Sequence, residues 1–285
     1  MTRWKAAVVL LTAFLAIGGT QPAQAAPAAD LESLRDQMVV AAGPGSAAWV
    51  DAKTGQVVVQ VADPSKLRLS SARIRVEQAA PAVPYALLYG GYGMRSATGK
   101  YCTTGFIAHN ATATASYVVT AGHCTANTVY WDRKGDYLGR TYSSVFDGDG
   151  DYGVITIKGV TFHARDGVAT DMGVIALEGV GTASVGQSVC KKGNNSGYTC
   201  GTVLAVDVSV NYGGLVVSGM IQTDVCSVPG DSGSPLMSEL IGGELRAWAL
   251  GVLSGGGGEC GPDRRGYYNP LGEILDQYGL ILGAA

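Results

Sequence analysis

The sequence predicts an all-β domain that closes with one helix, preceded by a smaller mixed α+β segment. Three observations carry this. After Tyr85, short β-prone runs recur at 117–120, 152–157, 203–210, 215–221 and 247–253, separated by clusters of Gly, Asn and Asp at the intervals of sandwiches and barrels. Glycine, at 42 of 285 residues, is about twice its average usage without a three-residue repeat, which fits many turns and excludes collagen. The one convincing late helical pattern follows Pro270, where Leu271, Ile274 and Leu275 share a face.

Taken in chain order, Arg3 and Lys5 make a short positive start, and residues 6–17 are uncharged and apolar. Small residues follow and end in Ala23-Gln24-Ala25, the form a signal peptidase reads, so residues 1–25 are expected to be a signal peptide cut near Ala25 or Ala26. The apolar run is short of the roughly 20 residues that span a bilayer. No later stretch is long enough either, so no membrane partner is expected and the mature chain is expected to be secreted.

Residues 26–84 hold no Cys, His or Asn. Leu31, Leu34 and Met38 recur at helical spacing behind Asp30, read as an N-cap. Stretches 47–50 and 56–61 read as strands around Lys53-Thr54-Gly55, and a third alternates Leu67, Leu69, Ile74 and Val76 with basic residues. Residues 79–84 read as an exposed linker. So short a segment buries little core by itself. Between a leader and a Cys-bearing domain it reads as a pro-segment, the alternative being an accessory domain that stays attached.

Residues 85–285 form the main domain and hold all six Cys and all three His. An apolar content of 47% with only 15% charged residues argues against disorder, and a net charge of −3 provides no basic field for nucleic acid. Six Cys is an even number, which fits disulfides in an exported chain, with 15 connectivities open.

The chemistry centres on Gly230-Asp231-Ser232-Gly233-Ser234-Pro235. A nucleophilic Ser needs a base beside it and donors for the oxyanion it creates. The glycines allow a sharp turn, and the amides of Gly230 and Ser232 are the candidate oxyanion donors. By itself this string could be an ordinary turn. Thr120-Ala121-Gly122-His123-Cys124, after an apolar strand, supplies a candidate base whose ordinary pKa of about 6.5 suits work near neutrality. His109 and His163 lack such a setting and read as structural.

A carboxylate must hold the imidazole tautomer. Of Asp147, Asp149 and Asp151, the last abuts a strand and is expected to point inward, with the other two in water. The spacing also resembles the start of an EF-hand, but Tyr152 and Lys158 occupy the places that need Gly and Glu, so that reading fails.

The order His123, Asp151, Ser232 is that of the chymotrypsin-like serine proteases. The strings T-A-G-H-C, D-Y-G-V-I, V-N-Y-G-G, G-M-I-Q-T-D-V-C and L-S-G-G resemble the streptogrisin and alpha-lytic protease branch over residues 88–282. More weakly, W-V-D-x-x-T-G-x-V-V-V at 49–59 resembles the end of a streptogrisin prodomain. The resemblance implies two perpendicular six-stranded antiparallel barrels, about 85–165 and 166–285, with His123 and Asp151 on the first and Ser232 on the second. It implies the pairs Cys102–Cys124, Cys190–Cys200 and Cys226–Cys260. Separately, no C-x-x-C pair occurs and export favours oxidation, so no zinc site is expected. It implies a monomeric endopeptidase without cofactor that acts on proteins and peptides, kept as a zymogen by a pro-segment that assists folding and inhibits.

The resemblance also places Ser254, Gly255, Gly256, Val228 and Pro229 around a primary pocket that glycine leaves open, suited to large apolar or aromatic side chains. Leu253 stands where glutamate-specific relatives carry His, which argues against glutamate preference. Asp224, two residues before Cys226, leaves a trypsin-like Lys or Arg preference as the alternative. Ser234 departs from the second Gly of the family string. A non-catalytic binding module is a further alternative, disfavoured because the triad and the oxyanion Gly are all present. An α/β-hydrolase esterase is disfavoured by the order of the triad.

Overall fold

The structure, a computed structural model, describes residues 28–67, 71–82, 86–126, 130–133, 135–158 and 162–283. The expected signal peptide, Leu69 and Tyr85 lie outside the described residues. The chain forms two compact units that divide between Val83 and Pro84.

In the first unit, helix α1 (Ala28–Ala42) precedes strands β1 (Ala47–Asp51), β2 (Gln56–Val61) and β3 (Ile74–Gln78), paired in the order β1-β2-β3. Leu31, Val57, Val59 and Val61 are buried together, with Leu34, Met38, Ile74 and Val76 packed against them. The helical stripe read from sequence therefore faces the sheet. Asp30 is not the N-cap, because the helix already begins at Ala28; it sits in the first turn, paired with Arg73 at 2.8 Å. The third apolar alternation is not one continuous strand. Asp63 caps a 3-10 turn at Pro64–Lys66, and the strand starts only at Ile74. Its pairing with β2 is parallel, and parallel neighbours need a crossover of about a dozen residues, which this interval supplies.

The second unit is built almost entirely of strands. Its first part runs β4 (Ala86–Gly90), β5 (Gly93–Ser96), β6 (Tyr101–Thr103), β7 (Phe106–Asn110), β8 (Ser116–Thr120), the short helix α2 (Gly122–Thr125), β9 (Tyr130–Arg133), β10 (Asp136–Asp147) and β11 (Gly150–Ile157). Its second part runs β12 (Phe162–Thr170), β13 (Gly173–Val180), β14 (Ser188–Gly193), β15 (Gly197–Tyr212), β16 (Leu215–Thr223), β17 (Pro235–Ser238), β18 (Arg246–Gly257), β19 (Arg265–Pro270), helix α3 (Leu271–Tyr278) and β20 (Leu280–Ile281). The expected all-β class and the C-terminal helix are both present. One sheet has eight strands in the order β20-β7-β8-β11-β10-β9-β5-β6. In the other, β14, β15, β16, β19, β18 and β17 pair in sequence, and β17 returns to β14, closing a ring of six strands. Strands β13, β12 and β4 continue from β18 outside that ring.

Three cores fill this unit, and strand alternation explains how one sheet serves two of them. Ile107, Val118 and Ile155 pack with Leu88, Met94 and Leu138. Their neighbours Phe106, Val119 and Val154 turn the other way and pack with Met237, Val252, Leu271 and Ile274 of the second part. Strands β7, β8 and β11 are therefore buried on both faces, which is why they read as unbroken apolar runs. Val189, Val203, Ile221, Leu236, Leu253 and Tyr268 form the third core. The middle core joins the two sheets, and the candidate residues gather beside it.

Candidate active site

The carboxylate comes from a tight hairpin. Asp147 pairs with Gly150 across the β10–β11 turn and Phe146 pairs with Asp151, which leaves Asp147 and Asp149 exposed and Asp151 fully buried. His123 sits on α2, just beyond β8. Its backbone N–H donates to Asp151 Oδ1 at 2.7 Å, and its ring Nδ1 lies 2.7 Å from Oδ2. The acid thus fixes both the backbone and the ring of one residue. Three further bonds come from the other sheet. Ser254 Oγ donates to Asp151 Oδ2 at 2.6 Å, Asp151 N–H donates to Asn269 Oδ1 at 3.0 Å, and Asn269 Nδ2 donates to Asp151 O at 2.6 Å.

Ser232 lies in the turn before β17. Thr103 N–H donates to Ser232 O at 2.8 Å, Thr103 Oγ1 donates to Gly230 O at 2.9 Å, and Gly233 N–H donates to Leu253 O at 2.7 Å. Gly230 has φ 94° and Gly233 has φ 85°, the left-handed region that glycine enters without strain. At Gly233 a Cβ would also stand 2.0 Å from Thr120 Oγ1 and 2.6 Å from Thr103 O, so no other residue fits there. Asp231 and Ser234 N–H are bonded to Val228 O and Asp231 O, but among the described residues those of Gly230 and Ser232 donate to no protein acceptor. Unspent donors in a rigid turn are what an oxyanion requires.

The two halves meet at a sulfur. Cys124 Sγ is 3.8 Å from His123 Nε2 and 3.9 Å from Ser232 O, so one sulfur touches both the ring and the turn that carries Ser232. Among the described residues no hydrogen bond joins Ser232 Oγ to Nε2, the looser arrangement common before substrate binds. Ser234 is buried, and its hydroxyl donates to Asp231 O, so the departure from Gly is accommodated inside the turn.

Asp231 supports the turn from below. Lys191 Nζ stands 3.1 Å from its Oδ2, with both side chains fully buried. Asn195 and Ser196 N–H donate to Oδ1, and Val228 N–H donates to Oδ2. Burial by itself would raise the Asp231 pKa, but Ser196, the Lys191 ammonium and the backbone donors outweigh it and hold the carboxyl below its ordinary range. Burial pushes the Lys191 ammonium down, with Asp231 opposing. Because Asp231 is more acidic folded than unfolded, the unfolded chain takes up the proton first as pH falls. Its stabilisation is therefore complete above the unfolded value of about 3.9 and is lost below it. The urea midpoint is expected to hold from pH 6 to 5 and to fall steadily below about pH 4. A midpoint unchanged down to pH 3 would contradict this.

A pocket of about 280 Å³ opens beside Ser232. Of the residues expected there, Val228, Pro229, Gly255 and Gly256 line it, together with Ser227 and Leu253. Ser254 instead turns its hydroxyl to Asp151. Asp224 does not line the pocket: Thr202 N–H donates to its Oδ1 at 2.6 Å, and Arg264 Nε donates to its carbonyl at 2.5 Å. Next to His123, the Phe146 ring lies 5.7 Å from the imidazole and 6.4 Å from the Tyr212 ring.

The bonded pairs are Cys102–Cys124, Cys190–Cys200 and Cys226–Cys260. Cys102, Cys124 and His123 bring three ligand-type atoms within 4.8 Å, but both sulfurs are spent in the disulfide, leaving one nitrogen. His109 is buried, with Nε2 2.9 Å from Asp166 Oδ1 and Nδ1 3.1 Å from Ser116 Oγ, a pin between strands. His163 sits half-buried on β12. Thr103, Lys191 and Asn269 also hold this site, and no local string marks them; Tyr212 holds it too, inside the string V-N-Y-G-G, which by itself gave the tyrosine no role. A lysine beside Cys190 inside a strand was the one available hint, since a buried ammonium requires a buried partner.

A family model described as Trypsin matches residues 91–277. Streptogrisin-A of Streptomyces griseus is 32% identical over 254 residues, covering 82% of this chain and 77% of its own length. Streptogrisin-D of the same organism is 37% identical over 170 residues, which is 59% of this chain but only 41% of streptogrisin-D. The crystal structure of the Nocardiopsis protease NAPase superposes with a TM-score of 0.60 at 30% identity, covering 69% of this chain and 99% of that one.

Proposed function

The chain belongs to the trypsin-like serine endopeptidases, on the branch of the streptogrisins and alpha-lytic protease, and we propose that it hydrolyses peptide bonds through an acyl-enzyme formed on Ser232. The observation that carries this reading is the clamp of Asp151 on His123, with Cys124 Sγ touching both the ring Nε2 and the turn of Ser232, whose Gly230 and Ser232 N–H groups donate to no protein acceptor among the described residues. Ser232 Oγ attacks the substrate carbonyl while His123 Nε2 takes its proton. Asp151 keeps Nδ1 protonated and stabilises the imidazolium, and the amides of Gly230 and Ser232 receive the oxyanion. His123 then returns the proton to the leaving amine. Water enters against the acyl-enzyme by the same route.

The pocket beside Ser232 would take the side chain on the acyl side of the cut. Gly255 and Gly256 leave it open, Leu253, Val228 and Pro229 give it apolar walls, and the one carboxylate among its lining residues belongs to the exposed Glu259. Large apolar or aromatic residues fit such a wall. Asp224 is engaged with Thr202 and Arg264, which speaks against the trypsin-like alternative.

Residues 26–84 would be a pro-segment that assists folding and is removed from a secreted, monomeric enzyme. Barrels built from distant strand pairings fold slowly, which gives such a helper a purpose. Three disulfides agree with an oxidising destination. One experiment tests the whole reading. The full chain is expressed for export, the active protein is sequenced from its N-terminus, and phenylalanine and arginine anilides are compared. The expected result is a start near residue 85 and kcat/KM at least about tenfold higher for phenylalanine, as a single well-filled pocket provides. Preference for arginine would overturn the pocket assignment, and an active protein that keeps residues 26–84 would overturn the pro-segment.

A further inference from the structure

The acid of the site receives more donors than the three-residue relay uses, and they continue outward to a residue on a hairpin tip. Asp151 Oδ2 is shared by His123 Nδ1 at 2.7 Å and Ser254 Oγ at 2.6 Å. Ser254 Oγ is also 3.0 Å from the hydroxyl of Tyr212, the last residue of β15. Proton counting orients this chain. An ionised carboxylate only accepts, and Ser254 has a single proton, which must therefore lie toward Asp151. The contact between Ser254 and Tyr212 can then be made only if Tyr212 donates.

That donor is secured in two ways. Burial, reinforced by the Asp151 charge and opposed by the bond to Ser254, pushes the Tyr212 pKa up to about 12, so the phenol keeps its proton through the neutral range. The ring is placed by contacts independent of its hydroxyl. It lies against Gly255, where a Cβ would meet its Cε1 at 3.3 Å and its Cζ at 3.4 Å, and it stands 6.4 Å from Phe146.

We infer that Tyr212 is a positioning residue for the relay: its hydroxyl donates to Ser254 and so holds the Ser254 proton on Asp151 Oδ2, keeping the carboxylate turned to His123 Nδ1. Without that donation the Ser254 hydroxyl can rotate to other acceptors. Asp151 then loses a charge-assisted bond for part of the time, along with the fixed plane that orients the imidazole. Tyr212 touches none of the reacting atoms, so it acts only through Ser254. This inference rests on the acyl-enzyme reading above.

The test is a double-mutant cycle on the secreted full chain, with wild type, Tyr212→Phe, Ser254→Ala and the double variant assayed on one peptide anilide. Tyr212→Phe keeps the ring against Gly255 and Phe146, and thermal midpoints check that each protein is folded. If Ser254→Ala is not secreted, Ser254→Gly takes its place in the cycle. Tyr212→Phe is expected to lower kcat by about five- to tenfold with KM within about twofold, and to change kcat by less than about twofold once Ser254 is gone. An equal loss in both backgrounds, an unchanged kcat, or a change confined to KM would overturn it. A folded wild-type protein inert toward every peptide amide would overturn the endopeptidase reading itself, and this inference with it.

Discussion

Ser232→Ala is expected to lower kcat on a peptide anilide by about 10⁶-fold, leaving only what binding and oxyanion donors provide, about 10³–10⁴ over water. The loss is chemical rather than structural. The turn is held by Thr103 and Leu253 through backbone groups of Gly230, Ser232 and Gly233, and by the Ser234 N–H on Asp231 O, and none of those bonds uses the Ser232 hydroxyl. Removing Oγ therefore leaves the pocket, the Gly230 and Ser232 amides and the His123–Asp151 pair in place. KM should stay within a few-fold, and covalent labelling by an organophosphonate should disappear. A variant that keeps more than about a hundredth of wild-type kcat would transfer the nucleophile elsewhere, because acyl transfer without an activated hydroxyl has no comparable route.

What could be read from the chain and what could not divide along the range of the interactions. His123, Asp151 and Ser232 each sit in a string whose neighbours have local work. The glycines beside Ser232 supply positive φ, Cys124 ties the His helix to Cys102, and the β10–β11 turn sets which of three Asp residues points inward. Local requirements leave local patterns. Asn269 and Tyr212 act 118 and 42 residues away from their partners, Asn269 on β19 reaching β11 of the other sheet and Tyr212 at the end of β15 reaching β18. Nothing in the run Tyr268-Asn269-Pro270 signals that an amide there will bind the backbone of a distant acid. Of the doubly buried strands, β8 and β11 were legible as strands and β7 was not read, and none was legible as a wall between two cores, because continuous apolarity does not say what lies on either side. In the first unit, Asp30 looked like a cap because cap residues and first-turn acids are the same residue types, and only the observed start at Ala28 separates them.

Asp151→Asn is expected to lower kcat by about 10⁴-fold with little effect on folding, and the hydrogen-bond inventory explains why one atom matters so much. The carboxylate accepts three donors: His123 N–H on Oδ1, and His123 Nδ1 and Ser254 Oγ on Oδ2. An amide has one acceptor and one donor group in their place. If its oxygen faces the His123 backbone, its NH₂ faces Nδ1. That nitrogen must then lose its proton to accept, which moves the ring proton to Nε2, the position that should receive the proton of Ser232. If the amide is flipped, NH₂ faces the His123 N–H, two donors meet in a buried site, and the helix that carries the base is displaced. Either orientation removes the base, by tautomer in the first and by position in the second. Asn269 grips only the backbone of residue 151 and would hold the variant folded. The check is kcat together with the thermal midpoint. A folded Asn variant within about tenfold of wild type would mean that Asp151 does not set the tautomer, since a wrong tautomer cannot pass so small a penalty.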